Sequence, residues 1–233
     1  MDLADLESHT FSAQLDCRYL LRAPARLQPS SVLALALHGY GSDPASMLRL
    51  TARLIGAEHV LASLQAPYQH YNALPSSSAR NVSAYNWGIR DHWREAVRLH
   101  HEMVLHVLSE LRARFGLSAR RTVLIGFSQP VGLNYRFLGT YPSEAGGAIA
   151  LCGGVPRDWE DADYQPVEAA ILHIAREQDE YYPAAVASEF AGRLRRRASD
   201  VEFHVLPGGH RFPSQADTVA QSWLTRVFPA GVT

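Results

Sequence analysis

Ser128 lies in Thr122-Val123-Leu124-Ile125-Gly126-Phe127-Ser128-Gln129-Pro130, where an apolar, β-branched run leads into Gly-x-Ser-x and then a helix-like segment. A strand–turn–helix of this kind can hold a serine on a tight turn with its hydroxyl exposed at the end of a sheet. A serine hydroxyl is a weak nucleophile, so chemistry at Ser128 needs a base within reach and an acid to orient that base. Both follow in the chain order serine, acid, histidine: Asp179 in Glu177-Gln178-Asp179-Glu180-Tyr181-Tyr182-Pro183, then His210 in Pro207-Gly208-Gly209-His210. Glu177, Glu180, Asp161 and Asp163 are the competing acids. The bland alternatives are a helix-capping serine at 128 and an exposed loop histidine at 210.

A helix beginning at Gln129 would aim unpaired N–H groups and the positive end of its dipole at a developing oxyanion. A second donor is expected from Leu37-His38-Gly39-Tyr40-Gly41-Ser42-Asp43, whose glycines let backbone N–H groups turn toward a ligand. Gly39-Tyr40-Gly41 also begins a dinucleotide pattern. The third glycine position holds Pro44, however, and no acidic residue follows the next apolar run, which ends at Gln65-Ala66-Pro67.

Other chemistries fare poorly. The chain has 11 histidines, and His101-Glu102-Met103-Val104-Leu105-His106 approaches a zinc-protease helix. Its spacing of five sets the two imidazoles about 140° apart on a helix, so they cannot share an ion on one face. No metal and no cofactor is expected. All basic residues are arginine, which excludes lysine Schiff bases and the lysine of a phosphate loop. The cluster Arg193, Arg195, Arg196, Arg197 reads as a solvated helix face. A formal net charge of −1 gives no electrostatic case for nucleic acid or an anionic membrane.

These residues need a scaffold. Short apolar runs at Ser31–Leu37, Val60–Leu64, Thr122–Phe127, Ala148–Cys152, Ala170–Ile174 and Val201–Leu206 suit strands buried on both faces of a parallel sheet. Helical segments alternate with them at Pro44–Ile55, Asp91–Phe115, Gly132–Leu138, Pro183–Arg197 and Pro213–Val227. In Asp91–Phe115 the stripe is Trp93, Val97, Val104, Val107, Leu108 and Leu111, and Gly116 ends the helix. Phe11–Leu21 alternates partly and could add an antiparallel edge strand.

The expectation is an α/β fold in one domain spanning 1–233, a mostly parallel sheet flanked by helices. Ser128, Asp179 and His210 then share the carboxyl edge of the sheet. Ala66–Arg90, with Tyr68, His70, Tyr71, Tyr85 and Trp87, reads as a long irregular binding loop. Gly153–Val167 is too short to be a large lid.

At 233 residues the chain buries ~75% of its unfolded surface and needs no disulfide or metal staple. Cys17 and Cys152 make no disulfide framework. The acidic start Met1–Glu7 lacks the order of a signal peptide, and no apolar run is long enough to span a bilayer. A cytoplasmic setting without membrane insertion is expected.

Together, Leu-His-Gly-Tyr-Gly from Leu37, Gly-Phe-Ser-Gln from Gly126, Asp179 with Tyr-Tyr-Pro after it, and Gly-Gly-His ending at His210 resemble the phospholipase/carboxylesterase branch of the α/β-hydrolases. That branch includes acyl-protein thioesterase-like serine esterases. The resemblance runs from about Ser31 to just past His210. It implies an α/β-hydrolase fold and cofactor-free hydrolysis of small carboxylic esters or thioesters. It implies Ser128, Asp179 and His210 as the catalytic set and Tyr40 and Gln129 as backbone oxyanion donors. Trp87 sits in a stretch similar to the family's tryptophan-bearing loop, and with Tyr85 and Tyr71 it is expected to meet substrate. The rival is a weak or inactive hydrolase-fold binding protein.

Pro130 departs from the family pattern, in which glycine is usual. Its ring adds bulk and disfavours helical φ/ψ at Gln129. The expectation is a modest esterase that Pro130→Gly would speed up.

Overall fold

The computed structural model describes residues 6–72, 82–88, 91–161 and 163–230. The acidic start at Met1–Asp5, and positions 73–81 and 89–90 of the expected binding loop, lie outside the described residues.

The apolar runs form strands β1 (Tyr19–Arg22), β2 (Leu33–Leu37), β3 (Val60–Leu64), β6 (Thr122–Phe127), β7 (Gly147–Leu151), β8 (Ala170–Arg176) and β9 (Val201–Leu206). They make one sheet in the order β1-β3-β2-β6-β7-β8-β9. All neighbours are parallel except β1, which pairs antiparallel with β3 from Tyr19 opposite Leu64 to Arg22 opposite Leu61. Among the described residues the α-helices are α1 (Pro44–Ile55), α2 (Trp93–Phe115), α3 (Gln129–Thr140), α4 (Ala184–Ala187), α5 (Phe190–Arg195) and α6 (Asp217–Val227).

The two faces of the sheet explain why a central strand such as β2 is apolar at every position. Along β2, Leu33, Leu35 and Leu37 pack with α2 and α3 through Val104, Leu108, Leu111, Phe137 and Leu138. Ala34 and Ala36 face the other way, with Met47 and Leu54 of α1 and Trp223 of α6. Each fully buried leucine contributes about 2–3 kcal/mol of apolar burial.

Helix limits follow local chemistry. Asp43 caps α1, its Oδ1 accepting the Ser46 N–H at 2.9 Å, and Pro44 occupies the first turn, where a missing N–H is harmless. Gly116 ends α2 at φ +66°.

Two expectations change. The Ala66–Arg90 stretch is not irregular throughout: β4 (Tyr68–Asn72) and β5 (Val82–Asn86) pair antiparallel as a separate small sheet. The single helix expected over Pro183–Arg197 is two short pieces, α4 and α5.

The arginine cluster is also more than a solvated face. Arg193 pairs with Glu160 and donates to the carbonyls of Val155 and Pro156, while Arg197 donates to the carbonyls of Trp159, Asp161 and Tyr164. Two side chains thus clamp the loop between β7 and β8. No large lid stands among the described residues, and no helix of the described residues is long and apolar enough to cross a membrane.

Candidate active site

Ser128 follows β6 directly and caps α3, at φ +64° and ψ −112°. A non-glycine residue rarely adopts this backbone, and local strain of the kind costs about 1–3 kcal/mol. The surroundings hold it there. The Ser128 N–H donates to the Leu151 carbonyl at 2.8 Å, and the Ser128 carbonyl accepts the Val131 N–H at 3.2 Å.

Two glycines let the turn be this tight. A Cβ at Gly126 would sit 2.9 Å from Asn134 Nδ2, and one at Gly153 would sit 2.3 Å from Val131 Cβ. Gly126 is the first glycine of the sequence motif; Gly153 carries no motif signal.

The acid and the histidine come from the two strand ends beyond. Asp179 lies past β8, and its side chain is 1% exposed. Its Oδ1 accepts the N–H groups of Tyr181 and Tyr182, each at 2.9 Å. His210 lies past β9, with Nδ1 2.8 Å from Asp179 Oδ2 and Nε2 2.7 Å from Ser128 Oγ. A carboxylate only accepts, so Nδ1 carries the proton and Nε2 presents its lone pair to the serine hydroxyl.

The competing acids take other places. Glu177, Asp161 and Asp163 are exposed. Glu180 accepts the main-chain N–H of His210, at 2.8 Å, rather than its ring. Rings of Tyr181 and Phe127 flank the imidazole at 4.6 and 5.5 Å.

Cys152, just past β7, also has a positive φ, of +49°. Its Sγ reaches the Arg211 carbonyl at 3.4 Å, beside His210. Burial, with the charge of Asp179 adding to it, pushes the thiol up to about 12, so it is no competing nucleophile.

Gln129 is the first residue of α3, so its N–H is not needed by the helix ladder. Its side chain is occupied elsewhere. Oε1 accepts the Trp87 N–H at 3.0 Å and Nε2 donates to the Gly88 carbonyl at 2.6 Å. Tyr40 is exposed, its ring lying 5.0 Å from that of His70.

The three aromatics expected to meet substrate separate. Tyr71 is exposed and Tyr85 is half-buried. Trp87 is 1% exposed, and its Nε1 donates to the His38 carbonyl at 2.7 Å. Little of the Trp87 ring is left exposed to meet a substrate.

The zinc-like helix segment divides as its spacing requires, with His101 buried against Phe137 and Tyr141 and His106 exposed. Among the described residues, no group of His, Cys, Asp or Glu is arranged to hold a metal ion. Sequence reasoning missed the Gln129 side chain, Cys152, and the main-chain hold of Glu180. Each acts on backbone brought close only by folding, so none has a local signature.

Solved structures share this architecture. The chain is similar to a carboxylesterase from Bacillus cereus, with 19% identity, a TM-score of 0.70, and coverage of 91% of this chain and 95% of that one. It is similar to esterase PE8, with 21% identity, a TM-score of 0.69, and coverage of 92% and 100%. Arabidopsis thaliana SOBER1 matches at 20% identity and a TM-score of 0.66, over 84% and 99%. At these identities the likeness speaks to the fold, which is that of the α/β-hydrolases. A search of curated protein sequences found no match. Residues 24–227 match the family described as phospholipase/carboxylesterase, which supports ester hydrolysis in general. The sheet order, the serine elbow and this match over most of the sequence lead to one assignment: the chain belongs to the phospholipase/carboxylesterase family.

Proposed function

We propose that the protein is a serine esterase, working as a single domain through an acyl-enzyme on carboxylic esters and on thioesters of similar shape. The observation that carries this is the hydrogen-bonded chain from Ser128 Oγ to His210 Nε2 at 2.7 Å and from His210 Nδ1 to Asp179 Oδ2 at 2.8 Å. Ser128 Oγ attacks the carbonyl carbon as His210 takes its proton, and the imidazolium returns that proton to the departing alcohol or thiol. Water then repeats the sequence on the acyl-serine, with His210 again as base, and the carboxylic acid leaves. Asp179 keeps the imidazole in the useful tautomer and offsets its transient charge. The N–H groups of Tyr40 and Gln129 stabilise the oxyanion, each worth roughly 100- to 1000-fold in rate. With the β7–β8 loop clamped down rather than raised as a lid, the site is open and suits short to medium acyl chains.

The test is stoichiometric labelling of Ser128 by a fluorophosphonate, together with turnover of nitrophenyl esters of graded acyl length. Labelling and turnover that both vanish in Ser128→Ala support the reading. A folded wild type that neither labels nor turns over is instead a hydrolase-fold binding protein.

A further inference from the structure

The two proposed oxyanion donors belong to segments far apart in sequence, and the site works only if their N–H groups converge. One arm ends β2 and turns through His38, Gly39 and Tyr40; the other is the first turn of α3 at Gln129. A third segment, Tyr85–Gly88 at the end of β5, touches both.

On the β2 side, the Gly41 N–H donates to the Tyr85 carbonyl at 3.0 Å, and the Tyr85 N–H donates to the Ser42 carbonyl at 3.2 Å. The Trp87 indole N–H donates to the His38 carbonyl at 2.7 Å, two residues before Tyr40. On the α3 side, the Gln129 side chain makes its two bonds to the Trp87 N–H and the Gly88 carbonyl.

His38 makes the β2 end rigid. Its Nε2 accepts the Ala66 N–H at 3.2 Å, so Nδ1 is the donor toward the Gly39 carbonyl, at 2.8 Å. The Trp87 and His38 rings lie 5.6 Å apart, and both residues are 1% exposed. A continuous hydrogen-bonded strut therefore runs from the Gln129 side chain through Trp87 to the His38 carbonyl.

We infer that Trp87 and the side chain of Gln129 are positioning residues that fix the spacing between the Tyr40 and Gln129 N–H groups. This rests on the serine-esterase reading of the site. Both side chains are committed to these internal hydrogen bonds. Their effect falls on the transition state, because the oxyanion forms only there and its donors must meet it within a few tenths of an ångström. Trp87 thus acts on the reaction from inside the core. Gln129 serves twice, its main chain facing the oxyanion and its side chain holding the partner loop.

The experiment compares Trp87→Phe, which keeps an aromatic ring and removes the indole N–H, with Gln129→Met, which keeps the length and removes both bonds, and with the double variant. Each single change is expected to lower kcat about 10- to 100-fold with KM little changed. A trifluoromethyl ketone analogue of the substrate should lose affinity by the same factor as kcat/KM. Because both changes cut one strut, the double variant should be no slower than the slower single. Full kcat in either folded single variant, or losses that multiply in the double, overturns the strut. If Trp87→Phe does not fold, Gln129→Met alone must still show the kcat loss and the matching loss of analogue affinity, and failure in either overturns the proposal. Wild-type turnover that survives Ser128→Ala overturns the serine reading itself, a result separate from these.

Discussion

Glu180 accepts the main-chain N–H of His210 at 2.8 Å, so the residue after the acid of the relay fixes the backbone that carries the imidazole. That bond is the largest of the effects holding the Glu180 carboxyl below its ordinary range. The contact is therefore present above the usual carboxylate pKa and is lost as pH falls through the lowered value. Glu180→Ala is expected to reduce kcat about tenfold through misplacement of the imidazole, with little change in KM. Glu180→Gln keeps an accepting oxygen and should stay close to wild type. Steady-state kinetics on the two variants decide it, and equal loss in both would remove the positioning role.

Three of the buried histidines show how folding becomes sensitive to acid. Burial pushes His101 down to about 4 and His173 down to about 3, and it holds His100 well below its ordinary value. In the unfolded chain each titrates near about 6.5. Below that value the unfolded chain binds protons that the folded one does not, so stability is full above about pH 6.5 and falls as pH drops. For His101 the loss continues to about pH 4. His101→Gln should reduce the slope of unfolding free energy by about 1.4 kcal/mol per pH unit across that window. Urea titrations at several pH values read the slope directly, and an unchanged slope counts against a neutral buried His101.

Pro130 fits the elbow better than its departure from the motif implies. The helix begins at Gln129 with Pro130 buried in its first turn, and the Gln129 side chain is fixed by two hydrogen bonds. Nothing turns the Gln129 residue out of the helix. Pro130→Gly is thus expected to lose about 2 kcal/mol, from buried ring surface and from added freedom in the unfolded chain. Its kcat should stay within about threefold of wild type, contrary to the gain expected from sequence. A folded variant running tenfold faster would restore the idea of a strained oxyanion donor.

Arg197 should matter to the β7–β8 loop more than to chemistry. It donates to the Trp159, Asp161 and Tyr164 carbonyls, which Arg197→Ala leaves without that partner. A loss of roughly 2 kcal/mol, or about 4–8 °C in Tm, is expected, with faster amide exchange across the loop. The rate of fluorophosphonate labelling at Ser128 should hold. If labelling slows while exchange does not change, the clamp serves the site instead.

What could be read from sequence was whatever depends on neighbouring residues. Apolar runs such as Leu33–Leu37 betray strands covered on both faces, and Asp43-Pro44 marks the start of α1. Ser128, Asp179 and His210 were visible because strand ends were legible and a parallel sheet gathers those ends on one edge. The β4–β5 pair was not, since Tyr68–Asn72 is polar and aromatic without the alternation of a half-buried strand. Arg197 misled for a related reason. An arginine that satisfies carbonyls looks, in sequence, like exposed charge.

The relay closes across 82 residues between Ser128 and His210, and its histidine hangs from β9, an outer strand of the sheet. During synthesis β6 and its serine elbow leave the ribosome long before that strand exists. Until then Ser128 has no base, and joining such distant segments must await the loop closures that slow-forming parallel sheets require. On the serine-esterase reading proposed above, the nascent chain is chemically silent for most of its growth, and competence arrives only with the segment that follows β9.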